Sequence, residues 1–348
     1  MASLLKRVLK ALYSTQKRIF IHLAILFVRI IRPNLVINYD ANKVRDGAGA
    51  QLHRILSLSL VSFLFDLRMI QPRIEDITIH PLDPIQDSTS LERYLSDWNN
   101  RLFSSREFIQ QPRETLSYKA LYIDSLNLRS LFVLSIKSKF SKRLIILNAK
   151  ESHSISDYCV DNYRAAIHFY FKEFLTFLNS RHNSSELIVH YRQGSGGFMI
   201  HPGQKIPRQM SIESVINVIE NISSKSMARI VRIRLFTDSP RETFRYIPIQ
   251  SQLHLWKDMP GFDGKSVINE SSGVEKHLFP IAERKNLLFA VDREIDAFQM
   301  ITAMARAEIL IISRSSLSYV GGLFNRFGEV FYPNGFWHTK LKGWRSYR

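Results

Sequence analysis

Between residues 187 and 332 short apolar runs recur, each ending in a polar turn and each followed by a stretch with helical spacing. Leu187-Ile188-Val189 leads into His190-Tyr191-Arg192-Gln193-Gly194-Ser195-Gly196-Gly197, and the run at 230–236 leads into Thr237-Asp238-Ser239-Pro240. The runs at 287–291 and 308–312 lead into Asp292 and into Ser313-Arg314-Ser315-Ser316. Helices are expected at 211–222 with Ser211 as cap, at 292–306 with Asp292 as cap, and at 317–325; residues 329–332 form a last strand. The helix at 292–306 turns Ile295, Phe298, Ile301 and Ala305 inward. Strands that alternate with helices, each ending in a polar turn, build a parallel sheet. In such sheets a ligand lies beyond the carboxyl ends of the strands, which is where all of these polar turns fall.

The first half opens in the same way. A β-prone run at 35–38 precedes the turn Asp46-Gly47-Ala48-Gly49-Ala50-Gln51, and an apolar helical stretch follows at 52–67. Residues 70–118, with Pro72, Pro81, Pro84 and Pro112, have poor periodicity and read as loops and short helices. Residues 143–147 read as a buried strand. Tyr163, Ile167, Tyr170, Phe171, Phe174, Phe177 and Leu178 place one core-facing helix over 157–179. A length of 348 residues suits two α/β domains, expected at 35–182 and 183–348 behind a basic segment at 1–34.

The formal charge of +17 calls for an anionic partner: nucleic acid, an anionic membrane or a phosphate-bearing substrate. Much of the excess lies at the start of the chain. No acidic residue precedes Asp40, while Lys6, Arg7, Lys10, Lys17, Arg18, Arg29 and Arg32 all do. They are interleaved with Leu4, Leu5, Val8, Leu9 and Leu12 and followed by an apolar run at 19–28 that contains His22. A membrane crossing takes roughly 20 apolar residues, about twice this run. No small-residue cleavage site follows it. The expectation is an amphipathic helix over residues 1–33 lying on an anionic membrane surface, with packing against the protein's own surface and a true membrane anchor as the other outcomes. Cys159, the single cysteine, excludes an intrachain disulfide and points to a reducing compartment; the expected location is cytoplasmic and peripheral at the membrane. No recognised nucleic-acid-binding motif accompanies the charge, so nucleic acid is not expected as a partner.

Several chemistries are removed by pattern. The chain has no Asp-x-Asp, no His-Glu-x-x-His and no Cys-x-x-Cys. The turn at Gly47 and Gly49 lacks the third glycine of a dinucleotide fingerprint. Gly264-Lys265-Ser266 would need a glycine at 259 to make a P-loop, and Met259 stands there. What remains are cations and backbone amides at strand ends, groups that neutralise a departing diphosphate without a metal. Arg192 follows a strand and precedes Gly194, Gly196 and Gly197, which let a phosphate approach the backbone while the guanidinium binds it bidentately. Ser313, Arg314, Ser315 and Ser316 stand where hydroxyls and helix N-terminal amides converge on an anion.

In order along the chain, these turns resemble the fucosyltransferase superfamily of α-1,2-, α-1,6- and protein-O-fucosyltransferases. Gly47-Ala48-Gly49-Ala50-Gln51 stands where that family has Gly-x-Gly-Asn-Gln, and His190-Tyr191-Arg192-Gln193-Gly194 where it has His-x-Arg-x-Gly. Phe236-Thr237-Asp238 and Ser313-Arg314-Ser315-Ser316-Leu317-Ser318 match its later two turns. The resemblance covers residues 40–335 and is strong over 187–325. It implies an α/β fold of two Rossmann-like domains facing a cleft (GT-B type), the first on the acceptor side and the second binding a GDP-sugar. It also implies inverting transfer to a glycan or lipid-linked glycan, fucose as the sugar, and neither metal nor cofactor. By position, Arg192 would hold the diphosphate, Ser315 and Ser316 the phosphate, and His190 and Asp238 the nucleoside, while Gly47, Gly49 and Gln51 would line the acceptor side. Ala50 replaces the family's Asn, and Ser195 stands where an acidic residue is common, so Asp46 and His53, flanking the glycine turn, are the candidate bases. A non-catalytic basic binding protein and an inactive glycosyltransferase-like protein stay open as alternatives.

Overall fold

Apolar strands buried on both faces need helices on both sides, and the chain supplies them twice. The computed structural model describes residues 16, 19–41, 47–77, 88–112, 117–179, 185–192, 210–237, 244–246, 267–269, 274–292 and 296–347. By its contacts the chain forms two units. The first is Met1–Asp46, Gln51–Asp76 and Leu95–Leu175; the second is Gly47–Ala50, Ile77–Tyr94 and Thr176–Arg348. This division differs from the expected break at 182/183. It assigns the glycine turn to the second unit and moves the later boundary to Leu175.

In the first unit, helix α1 (Ile19–Ile31) leads into β1 (Leu35–Tyr39), the centre of a five-stranded sheet. Helix α2 (Ala48–Phe65), β2 (Arg68–Ile70), α3 (Ser88–Leu102), β3 (Phe108–Ile109), β4 (Tyr118–Ser125), α4 (Leu128–Lys139) and β5 (Leu144–Glu151) follow, the start of α2 as far as Ala50 and of α3 as far as Tyr94 being assigned to the second unit. All strands are parallel, in the order β3-β2-β1-β5-β4. Helix α2 is long and apolar enough to cross a membrane, yet 83% of it is buried inside the protein, so it is a core helix. Two of its serines are hydrogen-bonded: Ser59 Oγ donates to Ile55 O (2.9 Å), and Ser57 Oγ donates to Arg54 O and accepts from Ser152 N (3.0 Å).

The single helix expected over 157–179 is instead three pieces after the short α5 (His153–Ser156): a 3₁₀ turn at Val160–Asn162, α6 (Tyr163–Tyr170) and α7 (Lys172–Asn179). The break is at Phe171, where the backbone leaves helical dihedrals (φ −122°, ψ 28°). Its ring packs edge-on against Phe103 and Phe108 at 6.0 and 5.9 Å. Cys159 is buried.

The second unit begins with β6 (Glu186–Tyr191), then α8 (Ile212–Glu220), α9 (Ser224–Met227), β7 (Arg232–Thr237), a hairpin of β8 (Phe244–Tyr246) and β9 (Val267–Asn269), α10 (Glu275–Arg284), β10 (Leu288–Asp292), α11 (Ala297–Arg306), β11 (Ile309–Ile311), α12 (Ser316–Phe324), β12 (Glu329–Pro333) and β13 (Arg345–Tyr347). Six parallel strands lie in the order β10-β7-β6-β11-β12-β13. Numbered within that sheet, this is 3-2-1-4-5-6, the doubly wound Rossmann order, and the direction of winding reverses between β6 and β11. Leu187, Val189, Ile233, Leu235, Ile309 and Ile311 pack with Val215 and Ile219 of α8 and Leu278 and Ile281 of α10. Ile188 and Leu310, on the other face, are equally buried.

Ser211 caps α8 as expected, accepting from Ser214 N at 3.3 Å. The cap of α11 is a correction. Asp292 ends β10 and pairs with Arg234 (2.5 Å), while Asp296 accepts from Phe298 N (3.1 Å) and Gln299 N (2.9 Å). Both are acids ahead of the same apolar period. Asp296 alone stands where its carboxylate reaches the first-turn amides.

Candidate functional site

The two strands that flank the reversal end in the residues the turns singled out. His190 is the penultimate residue of β6 and Arg192 follows the strand directly; β11 ends at Ile311, and Ile312 leads into the turn Ser313-Arg314-Ser315 that opens α12. Parallel pairing of Val189 with Ile311 sets the two ends side by side. His190 Nδ1 and Ser313 Oγ share a buried hydrogen bond of 2.6 Å across them.

The turn is held from within. Ser315 N donates to Ser313 O (2.8 Å), and Ser318 Oγ donates to both Ser313 O and Ser315 O (3.2 Å each). Arg314 turns toward β12, where Nη2 donates to Asn334 O (2.9 Å), and burial lowers its pKa. Arg314 is therefore an anchor of the turn, and among the described residues the cation at the reversal itself is Arg192, which is half-buried. Ser316 Oγ shares a hydrogen bond of 3.0 Å with His338 Nε2. Ser315 makes no capping bond to its own helix. First-turn amides have no partner inside a helix, so the start of α12 offers them, with the positive end of the helix dipole, to whatever lies at the rim.

The expected glycine turn is the N-terminal turn of α2, which starts at Ala48 rather than at 52, and it reaches the same place. A Cβ on Gly49 would lie 2.4 Å from Leu317 Cα and 2.6 Å from Leu317 N, so only glycine permits this approach to the first turn of α12. Gly47 is exposed, with nothing within 4 Å of the position a Cβ would take. Three residues of the expected site, Asp46, Gly194 and Asp238, lie outside the described residues, as do Ser195, Gly196 and Gly197.

Gln51 and His53 belong to the first unit. Gln51 is buried and ties elements together, donating to Asp76 O and accepting from Tyr39 OH (3.4 Å). His53, also buried, stacks on His153 at 4.5 Å and leans on Tyr163 at 6.4 Å. His153 Nε2 meets Glu151 Oε2 at 2.9 Å just past the end of β5. Burial pushes Asp157 up to about 6, against the opposing charge of His153, and pushes the Tyr163 hydroxyl up as well. Burial would raise Glu151 too, but the hydrogen bond and charge of His153, with Ser125 and Arg54, bring it below the usual carboxylate range. This coupled group sits at the carboxyl end of the central strand pair, β1 and β5. From sequence His53 was named as a candidate base and Tyr163 only as a core position, because Glu151, His153 and Asp157 form no motif by spacing. His338 and Asn334 were missed for a different reason: they lie in the β12–β13 connection, beyond the last strand expected.

No family model matches the chain, and no curated protein does. Solved structures with a partial likeness include the E. coli heptosyltransferase WaaC with ADP, at 9% identity and TM-score 0.36, covering 90% of this chain and 92% of that one. Another is POFUT1 in complex with GDP-fucose, at 10% identity and TM-score 0.39, covering 84% of this chain and 94% of that one. A likeness of this size assigns the chain to neither family.

Proposed function

We propose that the chain is a glycosyltransferase that moves a sugar, fucose in the first instance, from a GDP-linked donor to a glycan or lipid-linked glycan, with inversion and without a metal. One observation carries this: the winding reversal of the second sheet falls between β6 and β11, whose ends bring Arg192, His190, the Ser313–Ser315 turn and the start of α12 to one rim. A diphosphate on that rim would meet a guanidinium from one side and helix amides from the other.

In this mechanism the acceptor oxygen forms its bond to the anomeric carbon as the bond to the diphosphate oxygen breaks and its electron pair leaves with the nucleotide. Arg192 and the α12 amides hold that developing charge, a role worth several kcal/mol in a site that excludes water. The acceptor proton goes to a carboxylate, and Asp46 is favoured over His53. Asp46 precedes in sequence the glycine turn that abuts α12, whereas His53 is closed in by His153 and Tyr163. His190 orders the turn through Ser313 and positions the nucleoside with Asp238. The test is turnover of a panel of radiolabelled nucleotide sugars in the presence of EDTA. Hydrolysis or transfer from GDP-fucose above the other donors supports the proposal; no turnover of any donor, or turnover only after a divalent ion is added back, overturns it.

A further inference from the structure

Helix α1 carries two apolar faces. Ile21, Ala24 and Val28, three and four residues apart, are buried in the first unit, and Arg29 pins the helix there through Nε to Leu64 O (2.7 Å) and Nη2 to Phe63 O (3.2 Å). The outward face of such a helix is ordinarily polar. Here Ile19, Phe20, Leu23, Leu26 and Ile30 stand on it, between 56% and 70% exposed. Phe27, on the same side, stacks at 4.7 Å on Phe132 of α4, so α4 borders this face. Helix α4 and the residues after it expose Val133 and Phe140 among Arg129, Lys137, Lys139, Lys142 and Arg143, and no acidic residue occurs between Asp124 and Glu151.

We propose that α1 and α4 together form a platform that docks the first unit on an anionic lipid surface, with α1 lying in the headgroup plane and α4 supplying the charge. Two points select lipid. Protruding aliphatic and aromatic side chains gain from an acyl boundary and nothing from a phosphate backbone, while the cations beside them need anionic headgroups. A second copy of the chain would set like-charged α4 helices near one another. Two further points select lying over crossing: at 1.5 Å per residue α1 is about 20 Å long against a hydrocarbon core of about 30 Å, and its inner stripe is already buried in protein.

The full-length protein is to be sedimented with vesicles of phosphatidylcholine alone and of phosphatidylcholine with phosphatidylglycerol. The expected result is binding to the anionic vesicles that salt weakens, reduced about tenfold in Phe20→Ser/Leu23→Ser/Leu26→Ser and in Lys137→Glu/Lys139→Glu/Lys142→Glu, and unchanged in Phe327→Ser, a comparably exposed aromatic of the second unit. Circular dichroism checks that each variant is folded, and Leu23→Trp is expected to blue-shift in fluorescence on those vesicles. Wild-type binding by either triple variant, equal binding to both vesicle types, no blue shift, or a dimer that the apolar triple variant converts to monomer would overturn the platform. None of these outcomes touches the donor site.

Discussion

His190 and Ser313 show how two neighbouring strand ends become one site. Their 2.6 Å hydrogen bond is buried, and neither is a group that stabilises a fold cheaply when its partner is removed. Ser313→Ala is expected to cost about 1–3 kcal/mol in chemical denaturation and to weaken nucleotide binding about tenfold, because the histidine loses the contact that orients it. Unchanged affinity in a destabilised variant would leave the pair a purely structural role. Asp157 makes a different prediction. Its folded pKa of about 6 lies above its ordinary 3.8 because burial penalises the carboxylate, so the fold favours the protonated form. Its contribution is therefore complete below the unfolded pKa and is lost as pH rises through the folded one. Asp157→Asn should gain about 1–2 kcal/mol over wild type on going from about pH 4 to about pH 8, after allowance for partial exposure. A difference between the two proteins that does not vary with pH would contradict the burial account.

At the scale of elements, legibility followed burial. The inner strands β6 and β11 could be placed from residue type because both faces are covered and their central runs are apolar, and β7 because it alternates, with Arg232 and Arg234 at its less buried positions; β13 was not expected. Strand β4 was missed because it is an edge whose residues are exposed or half-buried, so neither alternation nor an apolar run marks it. Helix α4 was missed because two of its three buried positions are serines, Ser135 and Ser138, which dilute the helical period. Strand order has no signature in single residues, so the reversal between β6 and β11 became visible only through pairing. The turns were legible as polar punctuation, but their contacts were not: nothing in the sequence marks Arg314 as the anchor on Asn334. The junction of the glycine turn with α12 can be tested in pairs. Gly49→Ala should cost about 1–3 kcal/mol by forcing apart two backbones, and should weaken nucleotide binding with it. Gly47→Ala, which faces open space, should change neither; equal effects at both positions would refute the close approach.

For the whole molecule, the excess of 17 positive charges has two destinations in this account: the diphosphate at the second sheet and the lipid under the first unit. The first of these is the central claim, that Arg192 and the start of α12 neutralise a leaving diphosphate where other enzymes use a divalent ion. Calorimetric titration of GDP in EDTA, with wild type and Arg192→Ala side by side, tests it most directly. The expected result is binding by wild type that EDTA does not weaken, preference for GDP over UDP, dTDP and ADP, and a loss of about ten- to a hundredfold in the variant, the range for a charge-assisted contact to phosphate. Wild-type affinity in a folded Arg192→Ala protein, or GDP binding that disappears with EDTA, would contradict it.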